Sequence, residues 1–295
     1  MNADIDIEQF EAMKSKIREE TLKAKGPMAM ALKDIRHKIA ILSGKGGVGK
    51  TVVTVNLASA LKKKGYEVCI FDADLHGPAV PKALGLYGRM DVASEHDHPG
   101  HHDLRFNPLM SSNGIKVVSV ASMWASQDQP IMWKGAHKMR AIRQLIASVN
   151  WGKADFLLVD LPPGTGDEVQ TVMRSIPKLD GMIVVTTPQG LSTMVCTRAI
   201  SAARELEVPL LGLVENMSSL KCSTCGAEMY PFGKGQGEKL ARLMEIPFWG
   251  KIPIELEMGE CVDEGVPFVD KKPDSDFSKA IDEIVSKLIV SLGDN

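Results

Sequence analysis

The stretch "GKGGVGKT", residues 44–51, decides the fold of this 295-residue chain. It follows the apolar run "KIAILS" (38–43) and leads into the helical pattern "KTVVTVNLASALKKKG" (50–65). This strand–turn–helix context, with the spacing G-x-x-x-x-G-K-[ST], is typical of a phosphate-binding loop. Its glycines let backbone N–H groups turn inward around phosphate oxygens, and the helix N-terminus adds its positive dipole end. We therefore predict a nucleoside triphosphate site formed by Gly44, Lys45, Gly46, Gly47, Val48, Gly49, Lys50 and Thr51.

Two side chains of this loop have predictable tasks. Lys50 is expected to reach the β- and γ-phosphates, and the Thr51 hydroxyl is expected to bind Mg²⁺. Lys45 is unusual, because an ordinary phosphate loop needs only one lysine.

Beyond the loop, short apolar runs alternate with helical patterns. The runs do not alternate between apolar and polar residues, so they fit strands that are buried on both faces. They are "EVCIFD", "IKVVSV", "DFLLVD", "GMIVVTT", "LLGLVEN" and "FWGKIP". Repeated strand–helix units predict an α/β fold with a doubly wound, mostly parallel sheet and helices on both faces. Ligands of such folds bind beyond the carboxyl ends of the strands.

We divide the chain into an N-terminal helical or mobile segment, residues 1–36, and an NTPase domain, residues 37–295. Four of the seven histidines fall in a polar insertion around residues 94–104, interpreted as a solvated surface loop or an adventitious metal-binding tract. The last stretch has apolar residues at helical spacing and predicts a docked terminal helix. A membrane-binding helix fits less well, because the polar face is of mixed charge.

Polar residues close three of the predicted strands. Asp72 ends one strand and Asp74 follows it, Asp160 ends another, and Asn216 ends a third. A carboxylate at this edge can hold Mg²⁺ through water or polarise an attacking water, whereas each acid alone could also be a helix cap or a surface charge. The asparagine amide can donate and accept at once, which suits adenine. After Asp160, the Gly164 N–H could contact the γ-phosphate.

The bulk composition excludes several classes of function. The formal net charge is −2, which gives no indication of nucleic-acid binding, and no window is apolar enough for a membrane helix. The acidic N-terminus does not resemble a signal peptide. Five scattered cysteines predict no disulfide framework, so we expect a reducing, cytoplasmic compartment and neither nucleic-acid nor membrane partners.

Cys222 and Cys225 form a Cys-x-x-Cys pair in "KCSTCG". A thiolate metal site usually needs four ligands, and Cys69, Cys196 and Cys261 form no second pair. The pair could bind an iron–sulfur cluster or a structural zinc, with further ligands from a second chain. A redox role fits less well, because the motif follows a loop instead of starting a helix. The other three cysteines are predicted to be packing residues.

The second lysine makes the loop resemble the deviant Walker A motif KGGxGK[ST] of SIMIBI-type ATPases, a group that includes MinD and ParA. The resemblance implies that Lys45 crosses a homodimer interface and contacts the partner's nucleotide. It also implies that Asp74 orients the attacking water, Asp72 lies in the magnesium shell, Asp160 is the Walker B aspartate, and Asn216 reads adenine. Because no Asn-Lys-x-Asp guanine signature is present, ATP is expected over GTP.

Further blocks narrow the resemblance to the Mrp/ApbC iron–sulfur carrier ATPases over roughly residues 37–270. They are "DADLHGPAVPKALG", "MWKGAHK", "WGKADFLLVDLPPGTGDE", "VVTTPQGLS", "VENMSSLKCSTCG" and "FGKGQGEKLA". The resemblance implies a homodimer that hydrolyses ATP, receives a [4Fe–4S] cluster from donors and passes it to apo-proteins. Two thiolates per chain would become four across a two-fold axis, the number that such a cluster takes. Residues 1–36 contain neither the extra domain nor the four-cysteine motif of some members.

Two other functions compete with the carrier. A ParA/MinD-like positioning switch, with structural zinc at the Cys-x-x-Cys, would need a basic patch or a membrane-targeting helix, and neither is evident in the sequence. A nitrogenase-like reductase would use two separated cysteines instead of a close pair.

Overall fold

A computed structural model of the chain describes residues 26–75, 77–92, 105–123, 135–164 and 166–294. Its strands are β1 (Ile35–Ser43), β2 (Val68–Asp72), β3 (Leu109–Met110), β4 (Lys116–Ser119), β5 (Ala154–Asp160), β6 (Gly181–Thr186), β7 (Leu210–Glu215), β8 (Leu220–Lys221), β9 (Glu228–Met229) and β10 (Phe248–Lys251). Its helices are α1 (Lys50–Lys63), α2 (Val80–Ala83), α3 (Gly135–Ser148), α4 (Asp167–Ser175), α5 (Gly190–Glu205), α6 (Gln236–Leu243), α7 (Met258–Glu264), α8 (Phe268–Lys271) and α9 (Asp276–Ser291).

Eight strands form one sheet in the order β10-β7-β6-β1-β5-β2-β4-β3. All neighbours are parallel except β3, which runs antiparallel to β4. The strand before the phosphate loop, β1, therefore lies inside the sheet between β5 and β6. The predicted doubly wound, mostly parallel α/β fold is confirmed.

Both faces of the sheet are covered by helices, as the continuous apolar runs predict. In β1, Ile39 and Ile41 join a core cluster that includes buried residues of α1 and α9. Ala40 and Leu42, which point the other way, join a cluster with buried residues of α3, α4 and α5. Since successive strand residues face opposite sides, this division places one layer of helices on each face.

The sheet edge at the strand carboxyl ends carries the loops that matter for function. The phosphate loop leaves β1 there, residues 73–79 follow β2, residues 161–166 follow β5, and residues 187–189 follow β6. The loop after β7 leads into a separate two-stranded antiparallel sheet, β8 with β9, which holds the Cys-x-x-Cys between its strands. Two-residue strands are too short to give a sequence pattern, so β3, β8 and β9 were not predicted.

The terminal helix α9 is docked as predicted. It buries Phe277, Ile281, Ile284, Val285 and Leu288. The Ser275 side chain caps its start by accepting a hydrogen bond of 3.0 Å from the Ser278 N–H. Among the described residues, no helix is long and apolar enough to cross a membrane.

Of the predicted segment 1–36, the structure describes residues 26–36. Residues 26–31 are helical, Met28 and Leu32 are buried in the core, and β1 already begins at Ile35. The division of the chain at residue 36 stays a prediction. The predicted histidine-rich loop, residues 94–104, lies outside the described residues.

Candidate functional site

The phosphate loop encloses a cavity of about 240 Å³ that is also lined by Asp74, Gly77 and Pro163. Gly47 and Gly49 have φ angles of 75° and 77°, the left-handed region that glycine adopts without steric cost. The loop then enters α1 at Lys50. The observed turn therefore matches the one expected of an anion-binding loop at a helix N-terminus.

Lys50 is buried and close to a carboxylate. Its Nζ lies 2.7 Å from Asp160 Oδ1, an ion-pair distance. The angles at this contact do not satisfy the geometry of a hydrogen bond. Among the described residues, Lys50 Nζ is the one buried side-chain nitrogen or oxygen atom that has no hydrogen-bond partner. A buried ammonium needs acceptors, so its unused N–H groups fit phosphate oxygens in the adjoining cavity.

Asp160 also accepts hydrogen bonds from two threonines of α1. The Thr51 hydroxyl donates to Oδ2 over 2.7 Å, and the Thr54 hydroxyl donates to Oδ1 over 2.9 Å. The predicted magnesium ligand Thr51 and the predicted Walker B aspartate are thus in direct contact. Thr54 was not predicted, although its position three residues after Thr51 places both on one side of the helix.

Asp72 lies beside Asp160, since the two residues are register partners in β2 and β5. It is fully buried, and its carboxylate accepts hydrogen bonds from the backbone N–H groups of Asp74 and Val80 and from the Ser119 hydroxyl. Burial, and then the charge of Asp160, raise the pKa of Asp72 to about 8. A cation would relieve this repulsion.

These residues fit a triphosphate with Mg²⁺. Thr51, Asp160 and Asp72 supply the oxygen ligands that a hard cation prefers, directly or through water. Asp74 is half-buried at the cavity wall, where its Oδ1 accepts a hydrogen bond of 3.1 Å from the Gly77 N–H. The structure brings all four residues to the phosphate-loop edge, and their individual roles stay predictions.

Lys45 makes a side-chain hydrogen bond within its own chain. Its Nζ donates a hydrogen bond of 2.6 Å to Oε1 of Gln189, the residue directly before α5. The predicted contact with a partner's nucleotide would require Lys45 to leave Gln189. The Gln189 contact was not predicted, but the location of Gln189 after a parallel strand places it at the ligand edge.

The side chain of Asn216 contacts the phosphate loop. Its Nδ2 donates a hydrogen bond of 2.8 Å to the Val48 carbonyl, and a side chain at Gly49 would overlap this amide. The predicted reading of adenine by Asn216 stays a prediction. Across the site, the Gly164 N–H donates to the Ser43 carbonyl over 2.9 Å, so its expected γ-phosphate contact would require this bond to open.

The Cys-x-x-Cys occupies the turn of the β8–β9 hairpin. The Cys222 N–H donates to the Ala227 carbonyl and the Gly226 N–H donates to the Cys222 carbonyl, each over 2.9 Å. Hydrogen bonds from the backbone N–H groups of Cys225 and Thr224 to the Cys222 sulfur lower the pKa of the Cys222 thiol. Such N–H···S bonds favour the thiolate, which is the form that binds metals.

Both hairpin cysteines are reachable, since Cys225 is exposed and Cys222 is half-buried. Cys69, Cys196 and Cys261 are buried, as predicted, and burial raises the pKa of Cys69 to about 12. Within the described ranges, no three His, Cys, Asp or Glu side chains converge on one metal position.

Comparison with known proteins agrees with this geometry. A family model of the ParA group, described as NUBPL iron-transfer P-loop NTPase, matches residues 34–289. The chain belongs to this NTPase family. The resemblance drawn from the motifs is thereby confirmed, and the enzyme class is that of a P-loop NTPase.

Relatives of this NTPase share most of its length. A Pyrococcus furiosus protein named iron-sulfur cluster carrier protein is 46% identical over 261 residues, 87% of each chain. One of the same name from Methanocaldococcus jannaschii is 43% identical over 256 residues, 86% of each chain.

Solved structures resemble the NTPase over a similar span. An Archaeoglobus fulgidus nucleotide-binding protein in complex with ADP has a TM-score of 0.71 and 36% identity, over 86% of this chain and 95% of that one. MinD from Pyrococcus horikoshii, in complex with Mg-ADP, has a TM-score of 0.63 over 86% and 96% of the two chains. At 22% identity, MinD shows only the shared fold.

Proposed function

We propose that this NTPase hydrolyses ATP and carries an iron–sulfur cluster that it delivers to apo-proteins. The observation that carries the proposal is the position of the cysteine hairpin at the nucleotide edge of the sheet. Asn216 contacts the phosphate loop at Val48, and the chain reaches Cys222 only six residues later. The relatives named iron-sulfur cluster carrier protein support the same activity.

The nucleotide part of the proposal uses charges that are already in place. Lys50 holds the β- and γ-phosphates, while Thr51, Asp160 and Asp72 hold Mg²⁺ directly or through water. The bound Mg²⁺ supplies neutralisation of phosphate charge. Asp74, at the cavity wall, orients the attacking water, and Asn216 selects adenine.

In this proposal the active unit is a homodimer, because Lys45, the second lysine of the phosphate loop, acts on the nucleotide of a partner chain. Lys45 of one chain approaches the nucleotide of the other, where an added cation stabilises the charge that develops on the transferred phosphoryl group. In comparable enzymes, a cation placed next to that charge raises the rate of hydrolysis by several powers of ten. Hydrolysis therefore depends on the pairing of two chains.

The cargo part of the proposal also needs two chains. A [4Fe–4S] cluster takes four thiolates, and each chain supplies Cys222 and Cys225. Around a two-fold axis, the same patch comes from both chains, so the two hairpins together form one complete ligand set. The partners are cluster donors and apo iron–sulfur proteins, and a reducing cytoplasm suits thiolate ligands.

The positioning switch with a structural zinc is less well supported. Positioning proteins such as MinD appear among the similar structures at about 22% identity, whereas the relatives named iron-sulfur cluster carrier protein are 38–46% identical. The switch also gives no reason for two reachable cysteines at the nucleotide edge.

Anaerobic reconstitution with iron and sulfide tests the cargo directly. The full chain is expected to take up about one [4Fe–4S] cluster per two chains, read from visible absorbance and from iron and sulfide content. Cys222→Ala/Cys225→Ala should abolish uptake, and Cys261→Ala, a buried cysteine outside the hairpin, should not. Retention of the cluster by the double variant, or stoichiometric zinc that excludes iron, would overturn the proposal.

A further inference from the structure

Three side chains of α1 converge on the carboxylate of Asp160, which is almost fully buried at the end of β5. On Oδ2, the Thr51 hydroxyl donates a hydrogen bond of 2.7 Å. On Oδ1, the Lys50 ammonium lies at 2.7 Å and the Thr54 hydroxyl donates over 2.9 Å. All three residues belong to the first two turns of α1, so this helix holds both oxygens of the carboxylate.

Two of these three side chains gain a new partner when the nucleotide proposed above binds. The Lys50 ammonium moves to phosphate oxygens, and the Thr51 hydroxyl oxygen becomes a ligand of Mg²⁺. Both residues line the phosphate cavity. Thr54 lies one turn further along α1 and is fully buried. Its hydroxyl can therefore keep the same bond to Asp160 with and without nucleotide.

The Thr54 hydroxyl is a rigid donor. Its Oγ1 lies 3.0 Å from the Lys50 carbonyl oxygen as well as 2.9 Å from Asp160 Oδ1. A hydroxyl has one proton, and a carboxylate accepts it more strongly than a neutral carbonyl does, so the proton belongs on Asp160. Because threonine is branched at Cβ and has few rotamers in a helix, the backbone of α1 fixes the direction in which this hydroxyl points.

Asp160 needs such a donor because a second carboxylate lies beside it. Asp72 is its register partner in the neighbouring strand β2, and both residues are almost completely out of solvent. Two ionised carboxylates at this separation repel each other, and a buried carboxylate without donors is costly. When Lys50 turns to phosphate, Asp160 loses its cation. Of the two contacts on Oδ1, the bond from Thr54 is the one that remains.

We propose that Thr54 is a positioning residue for Mg²⁺, which holds the Asp160 carboxylate in place while Lys50 and Thr51 change partners. Thr54 acts through Asp160, because its buried hydroxyl is already used by that carboxylate. This inference rests on the nucleotide part of the proposed function, in which Mg²⁺ binds at Thr51 and Asp160. Loss of the hydroxyl should therefore weaken the binding of Mg²⁺ and spare the contacts of the nucleotide with the loop backbone.

The Mg²⁺ dependence of nucleotide binding tests the inference without any measurement of turnover. The dissociation constant of a fluorescent ADP analogue is measured on the full chain in EDTA and over a series of MgCl₂ concentrations. Thr54→Val keeps the shape of the side chain and removes the hydroxyl. The Mg²⁺ concentration that half-completes the tightening should rise at least about tenfold, the loss expected for one hydrogen bond to a charged group. In EDTA, the dissociation constant should stay within about twofold of the wild-type value.

Two matched variants separate positioning from a general loss of stability. Thr54→Ser keeps the hydroxyl and should need Mg²⁺ within about twofold of the wild-type concentration. Ser59→Ala removes a hydroxyl–carboxylate bond of the same kind from the same helix, since Ser59 Oγ donates to Asp270 Oδ2 over 2.7 Å, outside the phosphate cavity. It should lower the unfolding temperature, as Thr54→Val does, and leave the Mg²⁺ dependence unchanged.

An unchanged Mg²⁺ dependence in Thr54→Val, or an equal rise in Ser59→Ala, would overturn the inference. An equal loss of affinity in EDTA would do so too, because the hydroxyl would then support the whole loop. If Thr54→Val does not fold, Thr54→Ala removes the same hydroxyl without placing a methyl group against the carboxylate, and the same outcomes apply to it. A wild type whose nucleotide binding ignores Mg²⁺ would instead reject the nucleotide part of the proposed function, and this inference with it.

Discussion

At the scale of single residues, the site is defined by charges that are buried before any ligand arrives. Lys50, Asp72 and Asp160 lie almost fully out of solvent at the ends of three different elements. The Lys50 ammonium pairs with Asp160, and burial followed by the charge of Asp160 raises the pKa of the neighbouring Asp72 to about 8. Two carboxylates held close together out of solvent lower the free energy of unfolding of the ligand-free protein. A bound cation would offset their repulsion.

Asp72 makes the stability of the nucleotide-free protein depend on pH. The pKa of Asp72 is about 8 in the folded chain and near 4 in the unfolded chain, so the folded chain keeps a proton that the unfolded chain loses. Its contribution to the free energy of unfolding must therefore fall as pH rises from about 4 to 8, by at most about 1.4 kcal/mol per pH unit. Asp72→Asn should flatten this slope in urea unfolding.

The control for this prediction is Asp263→Asn, at an exposed carboxylate on α7. It should leave the slope between pH 4 and 8 unchanged. An Asp72→Asn variant with the wild-type slope would mean that Asp72 is ionised in the folded protein at neutral pH.

At the scale of elements, the phosphate loop depends on the helix beneath it. A Cβ on Gly44 would lie 2.5 Å from the Cys196 backbone nitrogen and 2.8 Å from the Val195 carbonyl carbon, both in α5. Backbone atoms cannot rotate away as a side chain can. The glycine at the start of the loop is thus needed for packing between two elements, in addition to any contact with phosphate.

Alanine substitutions at two glycines of the loop should therefore have different effects. Gly44→Ala is expected to lower the free energy of unfolding by about 1–3 kcal/mol, because α5 must shift, and to weaken nucleotide binding at least about tenfold. At Gly46, the nearest atom to a new Cβ is Pro163 Cγ at 4.0 Å, so Gly46→Ala should stay within about 0.5 kcal/mol. Thermal unfolding and titration with a fluorescent ATP analogue measure both. Equal losses at the two sites would refute the packing argument.

The predictability of the elements follows from their physics. Seven strands were predicted from the sequence because buried parallel strands are continuous apolar runs, and Asp72, Asp160 and Asn216 follow from where those runs stop. The contact of Lys45 with Gln189 joins residues 144 positions apart and leaves no local pattern. The packing of Gly44 on α5 and the two-residue strands of the cysteine hairpin were missed for the same reason.

At the scale of the whole molecule, one chain holds only part of each proposed site. Lys45 is turned inward to Gln189, and the cysteine hairpin offers two thiols at the surface. Both parts lie at the same edge of the sheet, so a second chain facing that edge could complete both at once. The proposal of a homodimer thus makes hydrolysis and cargo binding depend on a single association.

This dependence predicts that ATP hydrolysis per chain rises with protein concentration. Lys45→Ala should lower the rate at high concentration at least about tenfold and remove the concentration dependence, because the cation supplied across the interface is lost. Lys82→Ala, at an exposed lysine paired with Asp263, should retain the wild-type behaviour. A phosphate-release assay over a hundredfold range of concentration measures this. A rate per chain that is constant for the wild type would argue against catalysis across the interface.

The small β8–β9 sheet has a consequence for the lifetime of the protein in a cell. Its cysteines contribute nothing to the two large core clusters, which are built from the main sheet and its helices. Degradation in cells acts mainly on chains whose core has opened, and an empty hairpin leaves these two cores closed. If the chain is the carrier proposed above, starvation for iron should therefore change the amount of this protein little, and empty molecules would be open to refilling without new synthesis.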